Sequence, residues 1–183
     1  MPTVLITGAT GQLGRYLSAF MRNEASRDTR VIPLGRSFCP PGGVQADLTN
    51  RTQIEECLEV VKPDVVIHCA AIANVDTCEA EPERARRENV EATRVLSAAL
   101  LQNNENAHFI YISTDQVYSQ DKLNTEADPL PINVYGASKL EGEGHARQSP
   151  LHTILRTNFY GPSMDKGFTK WVVETCNNGK KLT

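Results

Sequence analysis

The chain is poor in the features that mark several protein classes. Only 6% of its 183 residues are aromatic, and its five cysteines (Cys39, Cys57, Cys69, Cys78, Cys176) are scattered, with no C-x-x-C pair. That spacing argues against a zinc site and against a disulfide framework, and reads as reduced thiols of a cytoplasmic protein. No apolar run approaches the length of a membrane span, and the strand-like start at Met1-Pro2-Thr3-Val4 leaves no room for a signal peptide. The formal net charge of −3 gives no footing for nucleic acid or an anionic membrane surface as partner. There is no internal repeat and no low-complexity tract. What remains, 40% hydrophobic and 22% charged residues over a length typical of one domain, is a globular chain able to bury a substantial core.

The most informative stretch is Gly8-Ala9-Thr10-Gly11-Gln12-Leu13-Gly14, placed directly after the apolar run Val4-Leu5-Ile6. A buried strand ends, the chain turns tightly, and a helix begins with its free N–H groups aimed at the turn. Glycine permits the turn and lets a phosphate approach backbone without a Cβ in the way. The G-x-x-G-x-x-G spacing alone fits any strand–turn–helix corner. Its place at the first strand of an alternating pattern points to a dinucleotide's pyrophosphate.

The alternation continues along the chain. Strands are expected at Thr3–Thr7, 30–34, 44–46, 64–69, 108–112 and 151–156, and helices at Gln12–Asn23, 49–61, 82–102, 133–148 and 167–177. Pro82 suits a first helical turn, and Pro63 ends the preceding helix. Short β-branched runs between helices predict an α/β, Rossmann-type doubly wound parallel sheet with helices on both faces.

The chemistry-bearing residues gather at the ends of these strands. After the second strand stands Gly35-Arg36-Ser37, where an acid would bind a ribose 2′-hydroxyl. An arginine and a hydroxyl instead favour a 2′-phosphate, hence NADP(H) in preference to NAD(H); the alternative is a solvated loop arginine. Asp47 and Leu48 follow the third strand, where a carboxylate could accept from an adenine amino group with Leu48 against the ring. Alternatively, Asp47 or Thr49 caps the next helix. Cys69, Ala70 and Ala71 end the fourth strand with side chains small enough for a flat ligand, or for tight helix packing. His68 reads as a core histidine. Ser113-Thr114-Asp115 closes the fifth strand, and Tyr135-Gly136-Ala137-Ser138-Lys139 opens the next helix. Tyr135 and Lys139, four apart, share a face. An ammonium beside the phenol would lower its pKa and equip it to exchange a proton with a carbonyl or alcohol oxygen while Thr114 bonds the same oxygen.

Taken together with His68-Cys69-Ala70-Ala71, Asn89-Val90, Ser113 to Tyr118 and Leu155-Arg156-Thr157, these elements resemble, in order, the extended short-chain dehydrogenase/reductases. Gly-Gln-Leu-Gly at the turn, Val75-Asp76-x-Cys78-Glu79 and Pro131 to Gly136 look most like dTDP-4-dehydrorhamnose reductase and its relatives. The resemblance implies a nicotinamide cofactor at Gly8, Thr10, Gly11, Gln12, Leu13, Gly14, Arg36, Ser37, Asp47, Leu48, Cys69, Ala70, Ala71, Tyr135 and Lys139. It implies Thr114, Tyr135 and Lys139 as the catalytic set, with Tyr135 the proton donor and Lys139 on the ribose. Asn89 would be a buried polar residue steadying the strand ends, and the substrate a nucleotide-linked sugar. Related dehydratases carry Asp-Glu after the threonine; here Asp115-Gln116 lacks the base, and Ser119-Gln120 replaces the usual Asp-Gly. Family members run on for roughly a hundred more residues, so residues 1–183 read as the NAD(P)-binding domain with most of the substrate-binding part absent, either a fragment or a naturally short relative whose substrate side is missing or borrowed. The competing resemblance is to the regulatory β subunit of methionine adenosyltransferase, a binding module that shares Gly-Ala-Thr-Gly and His-Cys-Ala-Ala. Either reading admits a homodimer or a partner subunit. An NAD-holding epimerase fits Gly35-Arg36-Ser37 less well.

Overall fold

The computed structural model describes residues 1–23, 28–38, 41–119 and 123–158, together with Glu174 and Asn177. Six strands, β1 (Thr3–Thr7), β2 (Arg30–Gly35), β3 (Val44–Gln45), β4 (Val65–His68), β5 (His108–Thr114) and β6 (His152–Thr157), form one sheet in the order β3-β2-β1-β4-β5-β6. Every pairing is parallel. This is the doubly wound order, and it reverses between β1 and β4. The register sets Thr7 opposite Leu34 on one side and His68 on the other, so three strands end level at that crevice.

The α-helices are α1 (Gln12–Asn23), α2 (Arg51–Val61), α3 (Val75–Ala80), α4 (Pro82–Ala85), α5 (Ala92–Asn103) and α6 (Val134–Ala146). The larger core lies on one sheet face, where Leu5, Leu34 and Phe109 meet Ile54 and Leu58 of α2 and Leu96 and Leu100 of α5. Each of those helix side chains is at most 1% exposed, and burying it contributes about 1.5–3 kcal/mol. A smaller core on the other face joins Val4, Ile6 and Val31 to Leu17 and Met21 of α1. No helix among the described residues is long and apolar enough to cross a membrane.

Several boundaries differ from the sequence expectation for physical reasons. Strand β5 continues through Ser113 and Thr114, because β6 pairs with both. Pro33 sits inside β2 at no great cost: β3 pairs only with Leu34 and Gly35, so Pro33 has a neighbouring strand on one side alone. Asn50 caps α2, accepting from Gln53 N–H, and Asp47 instead closes a local turn by accepting from the Thr49 N–H and hydroxyl at 2.9 and 2.8 Å. The short helix α3, capped by Asn74, was not legible in the sequence. The long helix expected at 82–102 carries a π-helical segment at Arg86–Glu91, a geometry that often accompanies a functional position. The expected helix 167–177 lies outside the described residues apart from Glu174 and Asn177, as do Cys39 and Cys176.

Candidate active site

The three glycines of the first turn have different jobs. Gly8 adopts φ +63, and a Cβ there would stand 2.7 Å from Ala70 Cα, so the ends of β1 and β4 touch through it. Gly14 is packed against the Gly8 carbonyl, and its Cβ would lie 2.8 Å from Ala9 Cα. These two are glycine because the protein itself leaves no room. At Gly11 the nearest atom to a Cβ is the Gly8 oxygen at 3.2 Å, and the residue is exposed. Packing is less strict at position 11, where a Cβ would press only on that oxygen, which would have to give by a few tenths of an ångström. The first bond into α1 runs from Arg15 N–H to Gly11 C=O at 3.0 Å, which leaves the N–H groups of the first turn facing the same place.

That place is a cleft of about 390 Å³ at the point where the strand order reverses. Of the residues expected to hold a cofactor, Gly8, Thr10, Gly11, Arg36, Ser37, Asp47, Leu48, Cys69, Ala70 and Ala71 line it. The structure adds Phe38 and Glu88, neither of which the sequence pointed to, and Ile72, which continues the run that ends the fourth strand. Gln12 sits exposed at the head of α1. The Leu13 side chain turns to the opposite sheet face, into a groove with Leu17, Ile67 and Ile110. Cys69 is a half-buried thiol whose pKa burial pushes up to about 12, and Cys57 is raised to about 11 for the same reason. Neither is a nucleophile at neutral pH. Among the described residues no His, Cys, Asp and Glu cluster could hold a metal ion.

Thr114, Tyr135 and Lys139 do not line the cleft but form a corner beside it. The Thr114 hydroxyl donates to Asp115 Oδ1 at 3.1 Å and accepts from Gln116 N–H at 3.2 Å; it lies near enough to the Tyr135 phenol to act on its pKa, and the Tyr135 ring packs with Cys78 and Ala85. Helix α6 is held at its head by Asn133, which accepts from Gly136 N–H at 2.7 Å, and by Glu79, which accepts from Val134 N–H at 2.7 Å. Gln116 accepts from the Asn133 amide at 2.7 Å, so it braces this cap. Gly136 is packed against the Gln116 backbone, with the carbonyl carbon 2.9 Å from where a Cβ would stand.

The electrostatics of the corner depart from expectation. Lys139 is 2% exposed, and its ammonium sits 4.0 Å from the Tyr111 ring centroid. Burial lowers its pKa to about 7. The Tyr135 pKa is raised, because burial outweighs the lowering influence of the nearby Thr114 hydroxyl. The expected lowering of the phenol by the ammonium is thus overturned in this structure: desolvation acts on both groups and dominates.

Asn89, in the π-helical segment, is fully buried. It accepts from Ile72 N–H at 2.8 Å and donates to Ile72 C=O at 3.1 Å and to Ser138 Oγ at 2.9 Å. It therefore ties the exit of β4 to α6, as the resemblance implied. His68 is fully buried between the hydroxyls of Thr7 at 2.6 Å and Thr93 at 3.0 Å, and burial lowers its pKa to about 3. It is a neutral core histidine.

A second buried group went unread. Glu143 is fully buried and accepts from Ser113 Oγ at 2.6 Å, from Arg156 at 2.9 and 2.7 Å and from Arg147 at 3.0 Å. Burial would push its pKa up, but the Arg156 and Ser113 bonds overcome this and hold it below the usual carboxylate range. Arg156 also donates to the Tyr118 phenol at 2.6 Å. The cluster pins α6 to β5 and β6, one residue from Thr114. The signal was available: Glu143 continues the four-residue spacing from Tyr135 and Lys139.

The comparisons agree with this geometry. A family model described as the RmlD substrate binding domain matches residues 2–183. A dTDP-4-dehydrorhamnose reductase of Burkholderia thailandensis is 37% identical over 183 residues, covering 98% of this chain and 57% of that protein. Methionine adenosyltransferase 2 subunit beta of Danio rerio is 35% identical over 156 residues, covering 84% and 46%. The solved structure of a dTDP-4-dehydrorhamnose reductase from Bacillus anthracis in complex with NADP superposes with TM-score 0.83 at 30% identity, covering all of this chain and 62% of that one. The chain thus spans under two thirds of the length of these relatives. A parallel sheet in this order, a glycine turn at its crevice and a family match over nearly every residue lead to one conclusion: the chain belongs to the RmlD substrate-binding-domain family.

Proposed function

We propose that residues 1–183 form the dinucleotide-binding part of an NADP(H)-dependent reductase that acts on the keto group of a nucleotide-linked sugar, after the manner of dTDP-4-dehydrorhamnose reductase. The observation that carries this reading is the cleft at the carboxyl ends of the strands, with Gly11 on its rim at the head of α1 beside Arg36, Ser37, Asp47 and Leu48. The residues suit the group: backbone N–H donors and a bare Cα for the pyrophosphate, an arginine for the 2′-phosphate, and small side chains at Cys69, Ala70 and Ala71 for a flat ring. A reduced nicotinamide supplies hydride when bound. Tyr135 Oη would give a proton to the substrate oxygen, and the neighbouring Thr114 hydroxyl would hold the same oxygen. A raised phenol pKa suits a proton donor. Lys139 would serve the phenol and the ribose, and Glu143 with Arg156 keeps the helix that carries both in place. Much of the sugar pocket belongs, in this reading, to the part of the relatives that the match does not reach, and the protein works in the cytoplasm.

The similarity to the Danio rerio subunit supports a second reading, a dinucleotide-binding regulatory subunit. One experiment separates them. NADPH and NADH are titrated against the longest available form of the protein, which is then assayed with dTDP- and GDP-linked 4-keto sugars. Tight NADPH binding, its loss in a folded Gly11→Val variant, and turnover of a keto sugar are expected. Unchanged NADPH affinity in Gly11→Val would remove the cofactor assignment. Binding without reduction of any keto sugar would leave the regulatory reading.

A further inference from the structure

The arginine at the cleft is not free to act alone. Arg36 donates to both carboxylate oxygens of Glu88, at 2.7 and 2.5 Å, and Arg87 donates to the same carboxylate at 3.1 Å. Glu88 comes from the π-helical segment, 52 residues further along the chain, and its side chain is only 15% exposed. Among the described residues that line the cleft, Arg36 is the one cation, and Asp47 and Glu88 are two carboxylates. The acid missing after β2 is thus supplied from another element to the same spot.

We propose that Glu88 sets the cofactor preference of this cleft, competing with a 2′-phosphate for Arg36 and offering a 2′-hydroxyl an acceptor in its place. The inference rests on the reading of the cleft as a dinucleotide site. A 2′-phosphate carries close to two negative charges at neutral pH. To reach Arg36 it must share the guanidinium with Glu88 or displace it, and the displaced carboxylate keeps only Arg87 for company. A ribose 2′-hydroxyl meets no such penalty, because it donates to a carboxylate. The cleft should therefore discriminate weakly between the phosphorylated and unphosphorylated dinucleotides.

The test is calorimetric titration of NADPH and NADH against wild type, Glu88→Gln, Arg36→Ala and the double variant, with thermal unfolding as the check on folding. Glu88→Gln keeps the shape and removes the charge. It should raise the preference for NADPH over NADH by about threefold to tenfold, mainly through tighter NADPH binding. In the Arg36→Ala background the same change should add much less. An unchanged or reduced preference in Glu88→Gln would overturn the proposal, as would an equal rise without Arg36. If Glu88→Gln does not fold, Glu88→Ala carries the same expectation. A wild type that binds neither dinucleotide would overturn the proposed function as well; one that binds both, with no response to Glu88, would overturn this inference alone.

Discussion

The cleft and the Tyr135 corner share one edge of the sheet, and they are built in opposite ways. Around the cleft the chain withholds side chains: Gly8, Gly11, Ala70 and Ala71 expose backbone, and the charged groups Arg36, Asp47 and Glu88 stand at its rim. In the corner the chain buries what it would ordinarily leave in water. Lys139 and Glu143 lie about one helix turn apart with almost no exposure; Lys139 rests on the Tyr111 ring of β5, and Glu143 is bonded by Ser113 and Arg156. The difference teaches where each region is vulnerable. Adding bulk or removing a rim charge alters the cleft without touching the core. Removing one atom group in the corner strands a buried partner.

The largest expected effect tests the corner as chemistry. On the longest active form of the protein, Tyr135→Phe should lower turnover by roughly a hundred- to ten-thousand-fold while NADPH affinity stays near wild type. A kcat within a few-fold of wild type would take the phenol out of the reaction. Next comes the corner as structure. Glu143→Ala strands Arg156 and Ser113 and should cost about 3–5 kcal/mol in urea unfolding. A loss under about 1 kcal/mol would mean that the cluster behaves like a surface pair and that the contrast with the cleft is false.

The cleft should respond more mildly. Arg36 is half exposed and shared with Glu88, so Arg36→Ala should weaken NADPH by only about tenfold, or ~1.5 kcal/mol, and NADH much less. Equal weakening of both would place Arg36 away from the 2′ position. Counted per pH unit, the smallest effect is one of pH. Burial holds Lys139 at about 7 in the folded chain against an ordinary value of 10.5. Between these values the unfolded chain binds more protons, so this group's contribution favours folding as pH rises through the window and is lost as pH falls through 7. The slope is at most about 1.4 kcal/mol per pH unit. Lys139→Met should flatten it. An unaltered pH dependence of Tm between 7 and 9 in that variant would show that Lys139 titrates normally.

Much of this contrast was legible before any coordinates. Glycine spacing after an apolar strand located the turn, and the run of residues lining the cleft followed, because strand ends in a parallel sheet must meet at one edge. Tyr135 and Lys139 were placed on one face by helical spacing alone. The short helix α3 and the π-helical segment were not legible, since Asn74 capping and a register change within 82–102 leave little periodic trace. The direction of the Tyr135 shift was misjudged, because spacing says which groups are near each other and nothing about how much water both have lost.

By itself, then, the sequence determined the alternation of strands and helices, the glycine-rich turn and the residue types at each strand end, all set by local propensity and pattern. Only the tertiary structure decided which of them act together. Glu88 reaches Arg36 from 52 residues away, Arg156 and Ser113 meet over Glu143, and Lys139 is stripped of solvent against Tyr111. Charge pairing and desolvation depend on distance and burial in space, and these are fixed by packing across elements that are far apart in the chain.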